Sequence, residues 1–215
     1  MNKFLINIRN TENELPVSRK IINTALILCF GIVLGTFSKF LDTTASNALP
    51  FIFEDLDIGN FLGRFAIWLL LALYIAIYSR SSLRASLNVF VFFVGMVSSY
   101  YIYSNYVAGF FPKSYAMIWV GFTVISPLLA FICWYAKGQS NISFMLSAII
   151  LAILFNFTFV YGWIYFDPYS MLEAIVFGCG LAALKRNTFK ETAYMILSAV
   201  VIAVILNLLV PFHFS

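Results

Sequence analysis

The sequence predicts an all-α protein, a polytopic bundle of about seven transmembrane helices. Of the 215 residues, 62% are hydrophobic and 10% are charged, and a water-soluble domain of this size would leave large apolar patches exposed. The apolar segments each run to about 20 residues, which matches a hydrocarbon layer of about 30 Å at 1.5 Å per helical residue. We therefore expect one transmembrane helical domain over residues 21–210.

The first segment, residues 1–20, is polar and carries an excess of basic residues, so we expect it to stay in the cytoplasm as a short interfacial helix or a flexible stretch. The first span is predicted at 21–41. It is long enough to cross a bilayer and too far from the N-terminus for a cleaved signal peptide, so we expect it to be retained. Gly31 and Gly35 lie one turn apart within it, where a neighbouring helix can approach closely.

The later elements follow from alternating apolar segments and polar connections. The connection 42–60 contains four acidic residues and no Lys or Arg, which favours the outer side of the membrane. Pro127 predicts a kink in the fourth span. Spans 2 to 7 are predicted at 61–78, 85–106, 115–135, 142–166, 169–184 and 192–210.

The basic residues orient this topology. Of the 13 Lys and Arg residues, all but Lys39, Arg64 and Lys113 fall on the side of the N-terminus. The positive-inside rule then predicts a cytoplasmic N-terminus and a short extracytoplasmic tail at 211–215. We expect a multi-pass protein of the bacterial cytoplasmic membrane, with the lipid bilayer as its first partner.

Polar residues inside the predicted spans collect in the outer half of the membrane. Ionisable groups at that depth are costly, so they usually face a partner or a water-filled cavity. Their one-sided placement predicts an outward-opening polar cavity for transport or binding of a small solute. The predicted ligand-binding residues are Lys39, Asp42, Tyr103, Asn156 and Glu173.

Each of these residues also has a purely structural interpretation. Lys39 can reach the headgroups and pair with Asp42 three residues later. Asn156 can form an interhelical hydrogen bond, and Glu173 can lie at the positive end of a helix dipole. Arg64 is expected to bind lipid phosphate at the outer interface.

The residue types that enzymes need are scarce. His213 is the single histidine, so neither a His-based metal site nor a Ser–His pair is indicated. The three cysteines lie within apolar segments, without the spacing of a disulfide framework or a zinc site. The basic residues sit in short loops rather than on one face, which argues against nucleic acid as a partner. We expect no catalysis, metal or cofactor.

A second hypothesis is an accessory or scaffolding protein that binds the helices of other membrane subunits. Small residues in transmembrane helices allow close helix–helix packing. The predicted packing residues are Gly31, Gly35, Gly178 and Gly180.

Three stretches carry a resemblance to known proteins: GIVLGTFSKFLD at 31–42, YIYS at 101–104 and GFFPKSY at 109–115. They resemble a group of small multi-span membrane proteins of Gram-positive bacteria to which no function is assigned. The chain length, cytoplasmic N-terminus and small-residue first span are also loosely similar to the substrate-binding components of energy-coupling-factor vitamin transporters. This second resemblance implies solute binding, although that family typically has six spans and has alanines where Gly31 and Gly35 stand here.

Overall fold

The computed structural model describes residues 3–11 and 15–209, and within them the expected all-α fold is confirmed. The predicted tail, 211–215, and the last residue of the predicted seventh span lie outside the described residues. A single short hairpin of two strands interrupts the helices in this part of the chain. The elements are α1 (Lys3–Ile8), α2 (Val17–Thr43), α3 (Phe51–Asp55), α4 (Ile58–Gly63), α5 (Phe65–Ile77), α6 (Ser82–Tyr106), α7 (Lys113–Tyr135), α8 (Asn141–Thr158), β1 (Phe159–Tyr161), β2 (Phe166–Pro168), α9 (Met171–Leu184) and α10 (Phe189–Leu209).

Five helices (α2, α6, α7, α8 and α10) are long and apolar enough to cross a membrane. Two more apolar helices, α5 and α9, have 13 and 14 residues, or about 20 Å at 1.5 Å per residue. Helices of this length and apolarity are those of a membrane-embedded protein.

The long helices run alternately between two ends of the bundle. We call these the Asp42 end, where α2 finishes, and the Lys137 end, where α7 joins α8. Tyr100 of α6 meets Asp42 at the first end, and Arg84 near the start of α6 meets the Lys20 carbonyl at the other. Helices α2 and α6 are therefore antiparallel neighbours.

Glycines bring α2 and α6 together backbone to backbone. A Cβ atom added to Gly31 or Gly35 would lie within 3.0 Å of the Phe92 or Met96 carbonyl oxygen of α6. In return, a Cβ on Gly95 of α6 would meet the Leu28 carbonyl of α2 at 2.7 Å. Because larger residues would clash with backbone atoms, glycine at these positions sets the distance between the two helices.

The interior consists of two hydrophobic clusters that share α5. One cluster joins α2, α5, α6 and α7 around Trp68, Phe92 and Trp134. The other joins α5, α8, α9 and α10 around Leu151 and Met195. Helix α5 is short, but it lies at the centre and connects the two halves.

Two predicted spans differ from the structure at the Asp42 end. The fifth was expected to continue to residue 166, yet α8 ends at Thr158 and the chain turns back through the antiparallel β1–β2 hairpin. The aromatic and β-branched residues of 159–161 favour an extended strand, whereas apolar length alone cannot distinguish helix from strand. The second span was expected to begin at 61, but Arg64 adopts an extended conformation and separates α4 from α5.

The N-terminal segment was expected to be a short helix or a flexible stretch, and the structure has a helix there, α1. Ile8 at the end of α1 is buried. The next residue, Arg9, donates to the Trp134 carbonyl at 2.7 Å, and its guanidinium lies 4.3 Å from the centre of the Trp134 ring. These contacts attach α1 to the Lys137 end of the bundle.

Candidate functional site

A cavity of about 200 Å³ lies at the Asp42 end between α2, α4, α5, α6 and α7. The last turn of α2 supplies its one carboxylate, and three helices supply aromatic rings. The indole N–H of Trp68 donates to the Leu62 carbonyl at 2.8 Å, and this hydrogen bond fixes the ring in the wall of the cavity. The polar and aromatic residues lining the cavity are Ser38, Asp42, Trp68, Tyr100, Tyr101, Tyr115 and Trp119.

Asp42 has two partners within the chain, and both use the same oxygen. Lys39 Nζ lies 2.5 Å from Asp42 Oδ2, and the Tyr100 hydroxyl donates to Oδ2 at 3.2 Å. Lys39 is itself 6% exposed, and its ammonium lies 5.1 Å from the Tyr100 ring centre. Within the described residues, Asp42 Oδ1 has no protein donor, so it can accept a hydrogen bond from a ligand.

Tyr101 has a buried hydroxyl with no hydrogen-bond partner among the described residues. The residue is 8% exposed and lines the cavity. Its ring packs edge-on against Tyr100 at 5.1 Å and Phe111 at 5.6 Å, which holds it in place. A buried hydroxyl left unpaired costs about 1–3 kcal/mol, so this group has an unused capacity to donate and accept a hydrogen bond.

Glu173 forms a separate cluster with Arg64. The carboxylate is fully buried in the first turn of α9, and Arg64 Nη1 donates to its Oε1 at 2.7 Å. Ser170 Oγ donates to the other carboxylate oxygen. Arg64 was expected at a lipid phosphate, but the structure pairs it with Glu173, and its guanidinium lies 5.7 Å from the Tyr169 ring centre.

Asn156 belongs to a third cluster. It is 2% exposed, and its Nδ2 donates to the Ala203 carbonyl of α10 at 3.0 Å. The Tyr161 hydroxyl of the hairpin donates to Asn156 Oδ1 at 2.7 Å. Asn156 thus connects α8, α10 and β1, which is the interhelical role given above as its alternative.

The five predicted ligand-binding residues therefore do not line one shared cavity. Asp42 lines the cavity and Lys39 is its partner, while Asn156 and Glu173 have partners elsewhere. Tyr103 is half-buried on α6 and lies outside the cavity lining. Sequence reasoning missed Trp68, Trp119 and Tyr101, because an aromatic residue in an apolar helix has the same pattern whether it packs or binds.

The four predicted packing glycines have different surroundings. Gly31 and Gly35 lie against α6 of the same chain, and a Cβ on Gly180 would meet Leu154 Cδ1 at 2.6 Å. Gly178 is exposed, with no heavy atom within 4 Å of an added Cβ. Among the four, Gly178 alone has room for a helix of another protein.

Within residues 3–11 and 15–209, no three His, Cys, Asp or Glu side chains come together as a metal site would require. Comparison of the chain with protein-family models, with curated proteins and with solved structures found no match. The functional argument therefore depends on the geometry of the cavity.

Proposed function

We propose that this is a seven-span bacterial inner-membrane protein that binds a small amine or ammonium solute in the Asp42-end cavity, in a transport or solute-binding role without catalysis. The observation that carries the proposal is the unpaired, buried Tyr101 hydroxyl in a cavity that also holds the Asp42 carboxylate. Both groups offer oxygen lone pairs, and the Trp and Tyr rings offer faces that attract a cation.

The cavity size sets the class of solute. The cavity volume of about 200 Å³ equals the volume that roughly seven water molecules occupy in the liquid, at about 30 Å³ each. This room suits a solute of a few heavy atoms, with its charged group toward Asp42 and its carbon atoms against Trp68 and Trp119.

The orientation follows from the charges. Arg84, Lys137 and Arg186 lie at the Lys137 end, and the positive-inside rule assigns this end to the cytoplasm. The cavity then opens to the outside. A seven-span count requires α5 and α9 to cross as well; α4 and α5 together cover 20 positions from 58 to 77, with the break at Arg64 between them.

Binding to purified protein in vesicles tests this function. Propylammonium, with propanol as its uncharged analogue, can be titrated while the tryptophan fluorescence is recorded. We expect the ammonium to bind and the alcohol to bind far more weakly. Asp42→Asn should weaken ammonium binding about 10- to 100-fold, because a hydrogen bond to a charged group contributes about 1.5–3 kcal/mol.

Asp167→Asn is the matched control, since Asp167 is an exposed acid on the hairpin of the same end. It should leave propylammonium binding unchanged. Equal loss in both variants, or equal binding of propylammonium and propanol, would contradict an Asp42-centred cation site.

Tyr101→Phe gives a second test with two readouts. It removes an unpaired buried hydroxyl, so the empty protein should become more stable by about 1–3 kcal/mol, while propylammonium affinity falls. A variant that is less stable and binds as well as the wild type would show that the hydroxyl has a structural partner.

The scaffolding alternative has one observation in its favour, the open face at Gly178. A partner helix that packs there should be lost from crosslinked membranes on Gly178→Leu. Gly121→Leu on α7 is the control, because Gly121 is also exposed with nothing within 4 Å of an added Cβ. No crosslinked partner in the wild type, or equal loss in both variants, argues against this alternative.

A further inference from the structure

The Lys137 end contains an open pocket with a concentrated positive charge. It measures about 570 Å³ and lies between the α7–α8 connection, the end of α9 and the start of α10. Its lining includes three basic side chains and no acidic one. The polar lining residues are Lys137, Gln139, Lys185, Arg186, Asn187, Thr188 and Thr192.

Among the described residues, Lys137 and Arg186 donate only to neutral acceptors. Lys137 Nζ donates to the Ala183 carbonyl at 2.6 Å, and Arg186 Nη1 donates to the Gly138 carbonyl at 2.9 Å. In the part of the chain that the structure describes, neither they nor Lys185 form an ion pair. Glu191 is the nearest acid in sequence; it is exposed in the first turn of α10 and also forms no ion pair there.

One donor in this pocket is left without an acceptor. Arg186 Nε is buried and has no hydrogen-bond partner among the described residues. A guanidinium presents Nε and a terminal nitrogen side by side, the arrangement that binds two oxygens of a phosphate. The unpaired nitrogen therefore marks where an anion completes the site.

The electrostatics also favour an added anion. The pKa of Lys137 is lowered, first by burial and then by the positive charges of Arg9, Lys185 and Arg186. An anion among these groups would relieve their mutual repulsion. The start of α10, a helix of 21 residues, lies in the same pocket and adds the positive end of its dipole.

We propose that this pocket binds the phosphate group of an anionic phospholipid in the leaflet at the Lys137 end. The apolar surface next to it indicates a lipid rather than a soluble phosphate. Phe189 of α10 lines the pocket and is 89% exposed, and the pocket lies between the ends of apolar helices long enough to cross a membrane. The basic side chains hold the headgroup phosphate, and Phe189 contacts the start of the acyl chains. The proposal is independent of the solute proposed at the Asp42 end.

Thermal unfolding of the full chain in vesicles tests the site. We expect the melting temperature to be higher in vesicles that contain phosphatidylglycerol than in vesicles of phosphatidylcholine alone. Adding inorganic phosphate to the phosphatidylcholine vesicles should give little of this gain. Equal melting temperatures in both lipids would overturn the proposal, and full stabilisation by inorganic phosphate would overturn the assignment to a lipid.

Single substitutions test whether the stabilisation by phosphatidylglycerol arises in this pocket. Lys185→Gln is the first choice, because Lys185 is exposed and its replacement should not disturb folding. It should weaken phosphatidylglycerol binding about fivefold, the contribution of one basic residue near an anionic surface. Arg186→Gln should weaken it more. Lys113→Gln, an exposed lysine at the opposite end, is the control, and an equal loss there would mean general surface attraction instead of this pocket.

Discussion

The two ends of the bundle compensate charge in different ways. At the Asp42 end, the buried Lys39 and the buried Glu173 each have an opposite charge within 2.7 Å, supplied by Asp42 and Arg64. At the Lys137 end, Lys137 and Arg186 donate only to backbone carbonyls. Within the described residues, the buried charges of the first end are paired, whereas Lys137, Lys185 and Arg186 at the second form no ion pair.

Depth explains the difference. Lys39 and Glu173 are located on helices, where removal from water makes an unpaired charge costly. Lys137, Lys185 and Arg186 are located in connections between helices, where water or headgroups can supply the opposite charge. A buried charge here has its counterion within the chain, and an unpaired cation near the surface indicates a position where a counterion can come from outside the chain.

The largest expected effect comes from breaking the buried pair. Arg64→Met leaves the fully buried Glu173 carboxylate without its cation, and we expect unfolding free energy to fall by about 3–5 kcal/mol. Denaturant unfolding in mixed micelles measures this. Glu173→Gln should cost less, because the Arg64 side chain is 36% exposed and can reach water.

The double variant Arg64→Met, Glu173→Gln should regain most of the loss, since no charge is then left unpaired. Lys113→Met, which removes an exposed cation from the same end, should have a small effect. If Arg64→Met is no worse than Lys113→Met, the pair does not stabilise the fold and the Glu173 carboxylate is not closed to solvent.

The next largest effect should change binding at the Asp42 end and leave the Lys137 end unchanged. Gly35→Leu places side-chain atoms against the Met96 carbonyl, and overpacking of this kind costs about 1–3 kcal/mol. Because α2 carries Asp42 and α6 carries Tyr100, the variant should also weaken propylammonium binding. Phosphatidylglycerol stabilisation at the far end should persist in the fraction that folds.

Gly178→Leu is the matched variant, because Gly178 has open space around it. It should be neutral or slightly stabilising, since leucine favours a helix more than glycine by about 0.8 kcal/mol. Equal destabilisation at both glycines would mean that the α2–α6 distance does not determine the result.

The comparison also indicates which features the sequence can predict. The apolar helices follow from segment length, and the Lys39–Asp42 pair follows from local spacing, since residues three apart on a helix are neighbours. Arg64 and Glu173 are separated by 109 positions. Their similar predicted depth in the membrane was visible in the sequence, but depth does not determine the direction in which each helix turns its side chains.

The cavity could not be predicted from the sequence either, because it also depends on how the helices face one another. Trp68 and Trp119 come from different helices, and their meeting depends on packing that the spacing within either helix does not encode. The hairpin after Thr158 was missed because an aromatic run suits both a membrane interface and a strand. Lys137, Lys185 and Arg186 were correctly placed in connections, but their shared pocket depends on how the connections pack together.

The smallest expected effect concerns Lys137 itself. Since burial and the neighbouring cations lower its pKa, more of its amine is neutral at a given pH than for an ordinary lysine, and acylation of Lys137 should begin at lower pH. Peptide mapping after brief labelling across a pH series gives the midpoint. A bound phosphate favours the protonated amine, so phosphatidylglycerol should move this midpoint upward relative to phosphatidylcholine. A Lys137 midpoint that does not move would place the anion away from this side chain.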